Sequence, residues 1–154
     1  MKVLSADIAP GCTDDSVAFV GEYLREIDRV ETRLSSGLGA REVVRRSVDI
    51  SGQVWTVRGQ GAVGVFGVAR GSIGGIPWFL GTSGIERVIV GVIPFIRAAV
   101  KRYGYLYNYV WSGNRVSARW LEKTGFRVGR PVRYGVAGAM FHYFDMGDVL
   151  CAIR

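Results

Sequence analysis

The spacing of hydrophobic and polar positions changes period several times along this chain, and each change marks an element. Val3 to Ala9 predicts a short strand, closed by Pro10-Gly11. Thr13 or Asp14 can then cap a helix running through Leu34. Val20, Tyr23, Leu24, Ile27 and Leu34 form its apolar stripe, with Glu22, Arg25, Glu26 and Arg29 on the wet side. Ser35 to Gly39 reads as a loop. A second helix, Ala40 to Ile50, places Val43, Val44 and Val48 inward and Arg41, Arg45 and Arg46 outward, and Ser51-Gly52 stops it.

From Gln53 the period shortens to that of strands. Val54 to Val57 and Ala62 to Ala69 predict a hairpin joined by Arg58-Gly59-Gln60-Gly61. Gly64 and Gly67 in the returning strand imply a bulge or a close neighbour. Ile76 to Leu80 follows as a strand in which Pro77, which has no N–H to donate, belongs at the start or on an edge. Gly81-Thr82-Ser83-Gly84 then opens a long helix, Ile85 to Tyr103, which Pro94 should kink near Val90 or Gly91.

Tyr105, Tyr107 and Tyr109 alternate with Leu106, Asn108 and Val110, as a strand with two faces requires. Ser112, Gly113 and Asn114 make a turn, and Ser112 or Asn114 can cap a short helix carrying Trp120 and Leu121. Gly125 ends it, because glycine takes the left-handed C′ conformation without steric cost. Phe126 to Val136 and Ala139 to Phe144 form a last pair of strands joined near Gly138. Strand, two helices, three strands, helix, strand, helix and two strands describe an α/β (α+β) chain around a mixed, mostly antiparallel sheet flanked by helices. No linker, repeat or low-complexity run divides the 154 residues, so a single domain, 1–154, is expected.

Composition narrows the function classes. Hydrophobic residues make up 49% of the chain, which argues for a folded protein rather than a disordered one. A net charge of +7 draws anionic partners. The basic residues are dispersed and form no tail, so nucleic acid is allowed as a partner but not favoured. Cys12 and Cys151 cannot build a disulfide framework, nor a four-ligand zinc site beside the lone His142; no metal is expected. The N-terminal apolar run is too short for a signal peptide. Val88 to Ile96 falls short of the ~20 residues that cross a bilayer, so no membrane role is expected.

The stretch Asn108 to Phe126 carries a resemblance. Val110, Asn114, Glu122, Lys123, Gly125 and Phe126 match the strand-turn-helix pattern near the C-terminus of the GNAT N-acetyltransferase superfamily. A narrower resemblance runs through Glu31 to Ser51, Trp55, Gly67-Val68, Pro77 to Thr82 and Asn114 to Phe126. It is to the GNAT-like proteins of short-tailed bacteriophages, often labelled internal virion protein A.

The superfamily resemblance implies a site for acetyl-CoA whose pyrophosphate rests on backbone N–H groups at the start of the long helix. It places Gly81, Thr82, Ser83 and Gly84 there, with Asn114 nearby, although this stretch lacks the Arg or Gln that usually opens the loop. The chemistry fits less well. The general acid is usually a Tyr seven residues after the Asn, and that position holds Leu121. Losing such a group typically costs about 10²–10⁴ in rate. The general base is usually a carboxylate near the strand before the helix, yet Arg70 to Ser83 contains no Asp or Glu, and Glu86 suits the helix N-terminus instead. His142 reads as structural. No catalytic residue is therefore assigned.

Two functional expectations follow. The first is a phage virion or assembly protein with no cofactor, acting through other virion or tail proteins by way of exposed Trp55, Trp78 and Trp111. It would be made in the host cytoplasm and carried in the virion. The alternative is an active acetyl-CoA-dependent N-acetyltransferase modifying host or phage amines.

Overall fold

The computed structural model describes residues 6–152. The strands are β1 (Asp7–Pro10), β2 (Ser51–Gly59), β3 (Ala62–Arg70), β4 (Gly75–Gly81), β5 (Tyr105–Trp111), β6 (Arg127–Tyr134) and β7 (Ala139–Gly147). Helices α1 (Asp14–Glu22), α2 (Glu26–Ser36) and α3 (Ala40–Ile50) separate β1 from β2. Helix α4 (Ile93–Tyr103) precedes β5, α5 (Arg115–Lys123) follows it, and α6 (Val149–Ala152) follows β7. Among the described residues the strands form one sheet in the order β1-β2-β3-β4-β5-β7-β6, antiparallel except at β4–β5. The expected α/β (α+β) class is met. Residues 3–5 of the first expected strand lie outside the described residues, as does the Cys151 side chain.

β3 is the buried centre, with Ala62 through Ala69 all buried. Val65 packs with Val17, Val20 and Val44 of the helices on one face, and Phe66 with Ile85, Val88 and Val92 on the other. Its glycines are there for close approach. A Cβ on Gly67 would lie 2.6 Å from the Gln53 carbonyl oxygen and 2.9 Å from the Trp78 ring. The ladder irregularity sits on β2, between Ser51 and Gln53. Gln60 and Gly61 both take positive φ, 54° and 77°, which makes the tight primed turn that suits two twisted strands.

Three expectations are corrected. The helix expected through Leu34 breaks after Glu22. Thr13 does cap its start, accepting from Ser16 N at 3.1 Å, but Leu24 pairs with Thr82 and Arg25 N donates to Gly81 O at 3.0 Å. The Arg29 guanidinium donates to the carbonyls of Leu24 and Glu22 that the break leaves open, at 2.9 and 2.8 Å. Tertiary pairing outweighs the periodicity, and Tyr23 is exposed.

The helix expected over Ile85 to Tyr103 begins only at Ile93. Ile85–Arg87 and Ile89–Val92 are 3₁₀ turns. Pro94 lies in the first turn of α4 rather than at a kink, because there its missing N–H costs no intrahelical bond. Finally, Trp55, Trp78 and Trp111 are half-buried rather than exposed. Trp55 stacks on Phe66, and Trp78 Nε1 donates to Ser51 Oγ at 2.7 Å.

Candidate functional site: the cleft between β4 and β5

β4 and β5 touch in register only at Gly75 and Leu106 and separate beyond that point. Pro77 accounts for the parting. Its carbonyl accepts from Asn108 Nδ2 at 2.7 Å, so the N–H that proline lacks would have pointed to the same, β5, side. Full pairing with β3 is kept, opposite Val68. The edge expected for Pro77 is thus an internal one. Asn108 also accepts from Tyr109 N at 2.8 Å, which satisfies the β5 backbone where the ladder ends. A cavity of about 390 Å³ occupies the opening, a volume typical of small-ligand sites.

Helix α2 forms one wall of this cavity with its polar side. Asp28 and Thr32 are buried while Ile27, Val30 and Leu34 are only half-buried. Arg25 donates to both Asp28 oxygens at 3.0 Å, and Asp28 Oδ2 also accepts from Gly81 N at 3.2 Å. Burial raises the Asp28 pKa even so. Glu31 Oε2 accepts from Asn114 Nδ2 at 3.0 Å and Oε1 from Trp111 N at 3.3 Å. The Glu31 residue is half-buried, but its carboxyl group lies deep enough that desolvation outweighs these donors and raises its pKa to about 7. The turn after β6 closes the far end of α2, with Val136 N donating to Ser35 O at 3.0 Å and Ala137 N to Leu34 O at 3.2 Å. Tyr134 stacks on Tyr109 with ring centroids 3.8 Å apart.

The residues singled out from sequence fall in two places. Gly81, Thr82, Ser83 and Gly84 follow β4. Besides the Gly81 N–H, the Thr82 N–H is engaged too, donating to Val63 O at 2.9 Å, and Thr82 Oγ1 accepts from Val63 N. Ser83 is exposed, and Gly84 sits at φ 90°. Asn114 is buried and caps α5 by accepting from Ser117 N at 3.2 Å. It faces Glu31 and lines the cavity. With α4 starting at Ile93, the stretch that enters the long helix is residues 87–92, containing Arg87 and Gly91. Sequence reading missed it by starting the helix eight residues early.

Leu121 is buried among Val110, Phe126 and Phe144. Glu86 is exposed and lies 3.7 Å from Arg25. His142 Nδ1 lies 2.8 Å from the Gly129 carbonyl, at the irregularity in β6 between Val128 and Pro131, which is a structural bond. Among the described residues no cluster of three or more His, Cys, Asp or Glu could hold a metal ion, and no helix is long and apolar enough to cross a membrane. Sequence reading did not find Asp28 and Glu31. The available signal was a polar stripe at helical spacing, Arg25, Asp28 and Thr32, in a helix taken to face the core with its apolar side.

No family model and no curated protein matches the sequence. Solved structures do match. A GNAT-family acetyltransferase from Bacillus anthracis superimposes with a TM-score of 0.64 at 13% identity, covering 96% of this chain and 97% of that one. An acetyltransferase from Agrobacterium tumefaciens gives 0.66 at 12% identity over 96% and 95%. One from Bacillus subtilis, solved in complex with CoA, gives 0.61 at 10% identity over 94% and 99%. At such identities the likeness is one of fold, and the splayed strands agree with it: the chain has the fold of the GNAT acetyltransferases.

Proposed function

We propose that this chain is a bacteriophage virion- or assembly-associated protein that uses the GNAT fold to contact other virion or tail proteins, without acetyl transfer and without a cofactor. Leu121 carries the non-catalytic half. Seven residues after Asn114, where the superfamily places its proton donor, the chain puts a hydrocarbon side chain packed into the core. The stretch at Gly81 to Gly84, where the resemblance placed the pyrophosphate, does not enter the long helix, which starts at Ile93; two of its amides are engaged within the protein and the Asp28 carboxylate points at it. An anion there would meet negative charge instead of free donors. The virion half rests on the resemblance of Glu31 to Ser51, Pro77 to Thr82 and Asn114 to Phe126 to the phage proteins. Synthesis in the host cytoplasm and residence in the particle follow from that reading.

One observation favours the alternative, an acetyl-CoA-dependent N-acetyltransferase acting on host or phage amines. Glu31 is a cleft carboxyl with a pKa near 7, suited to accept a proton. Two measurements separate the readings. Mass spectrometry of purified particles of the encoding phage should find this chain, and its absence contradicts the virion role. Thermal unfolding with millimolar acetyl-CoA should show no shift. Binding at one hundred times Kd would add ~2.7 kcal/mol, a rise of several degrees that would support the enzyme.

A further inference from the structure

Three carboxylates, Asp28, Glu31 and Glu86, line the cavity against one guanidinium, that of Arg25. The cleft is therefore locally acidic in a chain whose net charge is +7. Arg25 is already committed to Asp28 by two hydrogen bonds and lies near Glu86. Glu31 has no cationic partner among the described residues: its two bonds come from the neutral Asn114 amide and the Trp111 backbone. Each oxygen holds one donor and has a second acceptor direction left over. A buried carboxylate bonded only by neutral groups is costly, and an incoming cation would relieve that cost.

The rest of the cavity specifies the remainder of the ligand. Its walls include Tyr109, Tyr134, Val110, Trp120 and Phe141, flat or apolar surfaces that suit a hydrocarbon stem and a planar cation. Val116 and Tyr134 line the cavity while remaining 76% and 37% exposed, so they form an apolar rim. An apolar rim of this kind suits a protein partner better than a free small molecule.

We propose that the cleft between β4 and β5 receives an arginine side chain from a partner protein, with its guanidinium on both oxygens of Glu31 and its stem along Tyr109 and Tyr134. This rests on the proposed role in protein contacts and names the chemistry of the partner. Arginine fits better than lysine because its planar fork matches two carboxylate oxygens and stacks on aromatic rings.

The test titrates the full-length chain with capped Val-Arg-Val, Val-citrulline-Val and Val-Lys-Val peptides by calorimetry. The arginine peptide should bind at about millimolar Kd or tighter, and the neutral citrulline peptide at least tenfold more weakly. Glu31→Gln should abolish the preference while its unfolding temperature at pH 8 stays at or above that of the parent. A second readout needs no variant. Arginine binding should weaken as pH falls through 7, where Glu31 takes up a proton, the other titratable groups lining the cavity being Asp28, Arg25, Glu86, Tyr109 and Tyr134.

Equal binding of arginine and citrulline peptides, no binding of either at roughly 10 mM, or a preference that survives in Glu31→Gln each overturns the site. Lysine binding as tightly as arginine overturns the guanidinium assignment. Acetylation of the lysine peptide in the presence of acetyl-CoA would instead overturn the non-catalytic reading, and virion mass spectrometry is independent of all of these.

Discussion

Helices α2 and α3 are each eleven residues long and neighbours in sequence, yet they are held by opposite means. α3 inserts Val44, with no exposed surface, between α1 and β3, and leaves Arg41, Arg46 and Asp49 outside. α2 buries Asp28 and Thr32 and leaves Ile27, Val30 and Leu34 half-open. Hydrophobic burial fixes α3, whereas carboxylate bonds to Arg25, Gly81, Asn114 and Trp111 fix α2. A helix that turns its acids inward gives up burial energy, and what it gains is a negatively charged wall on the cavity. α3 stabilises the fold; α2 shapes the cleft.

Substitutions that exchange these roles test the contrast, beginning with the strongest. Asp28→Ala strands the Arg25 guanidinium and the Gly81 amide and should cost about 3 kcal/mol, read as a fall of the urea midpoint at unchanged slope. Val44→Ala removes methyl groups from a closed site and should cost about 2 kcal/mol, equally at pH 5 and pH 8. An Asp28 effect smaller than that of Val44 would break the comparison.

Glu31→Gln should stabilise the protein by about 1–2 kcal/mol at pH 8 and lose that advantage by pH 5. The sign follows from the raised pKa. Folding favours the protonated carboxyl, so its contribution is present in full below the ordinary value of 4.5 and is lost as pH rises through about 7. Across that window the ionised group costs the fold roughly 3 kcal/mol, part of which the variant forfeits by giving up one accepted hydrogen bond. Val30→Ala should cost under about 0.5 kcal/mol, since that apolar position on α2 is only half-covered; a loss near that of Val44 would show that α2 is held like any other amphipathic helix.

The same contrast explains what the sequence revealed. The strands were legible because their period of two is local: Tyr105 to Val110 and Ala62 to Ala69 read correctly, and the Gln60-Gly61 turn lies inside the stretch expected to make it. Asn114 was legible as a cap for the same reason. The break after Glu22 was not, because it depends on Leu24 meeting Thr82, fifty-eight residues away in the chain. The start of α4 was misplaced because Ile85, Val88, Ile89 and Val92 keep a helical spacing while forming 3₁₀ turns.

Glu31 escaped notice because nothing local marks which face of a charged helix meets a cavity. Pro77 was expected at the start of its strand or on an edge; it lies instead on an internal strand, at the seam where the cleft opens.

The most direct test of the inward-facing acid is a carboxyl-carbon NMR titration of Glu31 in the full-length chain. The structure predicts a midpoint near 7, well above the ordinary glutamate value of 4.5, and a fall toward that value when the arginine peptide is added. A midpoint near 4.5 in the free protein would mean that Glu31 faces water, and the acidic cleft wall built on it would be wrong.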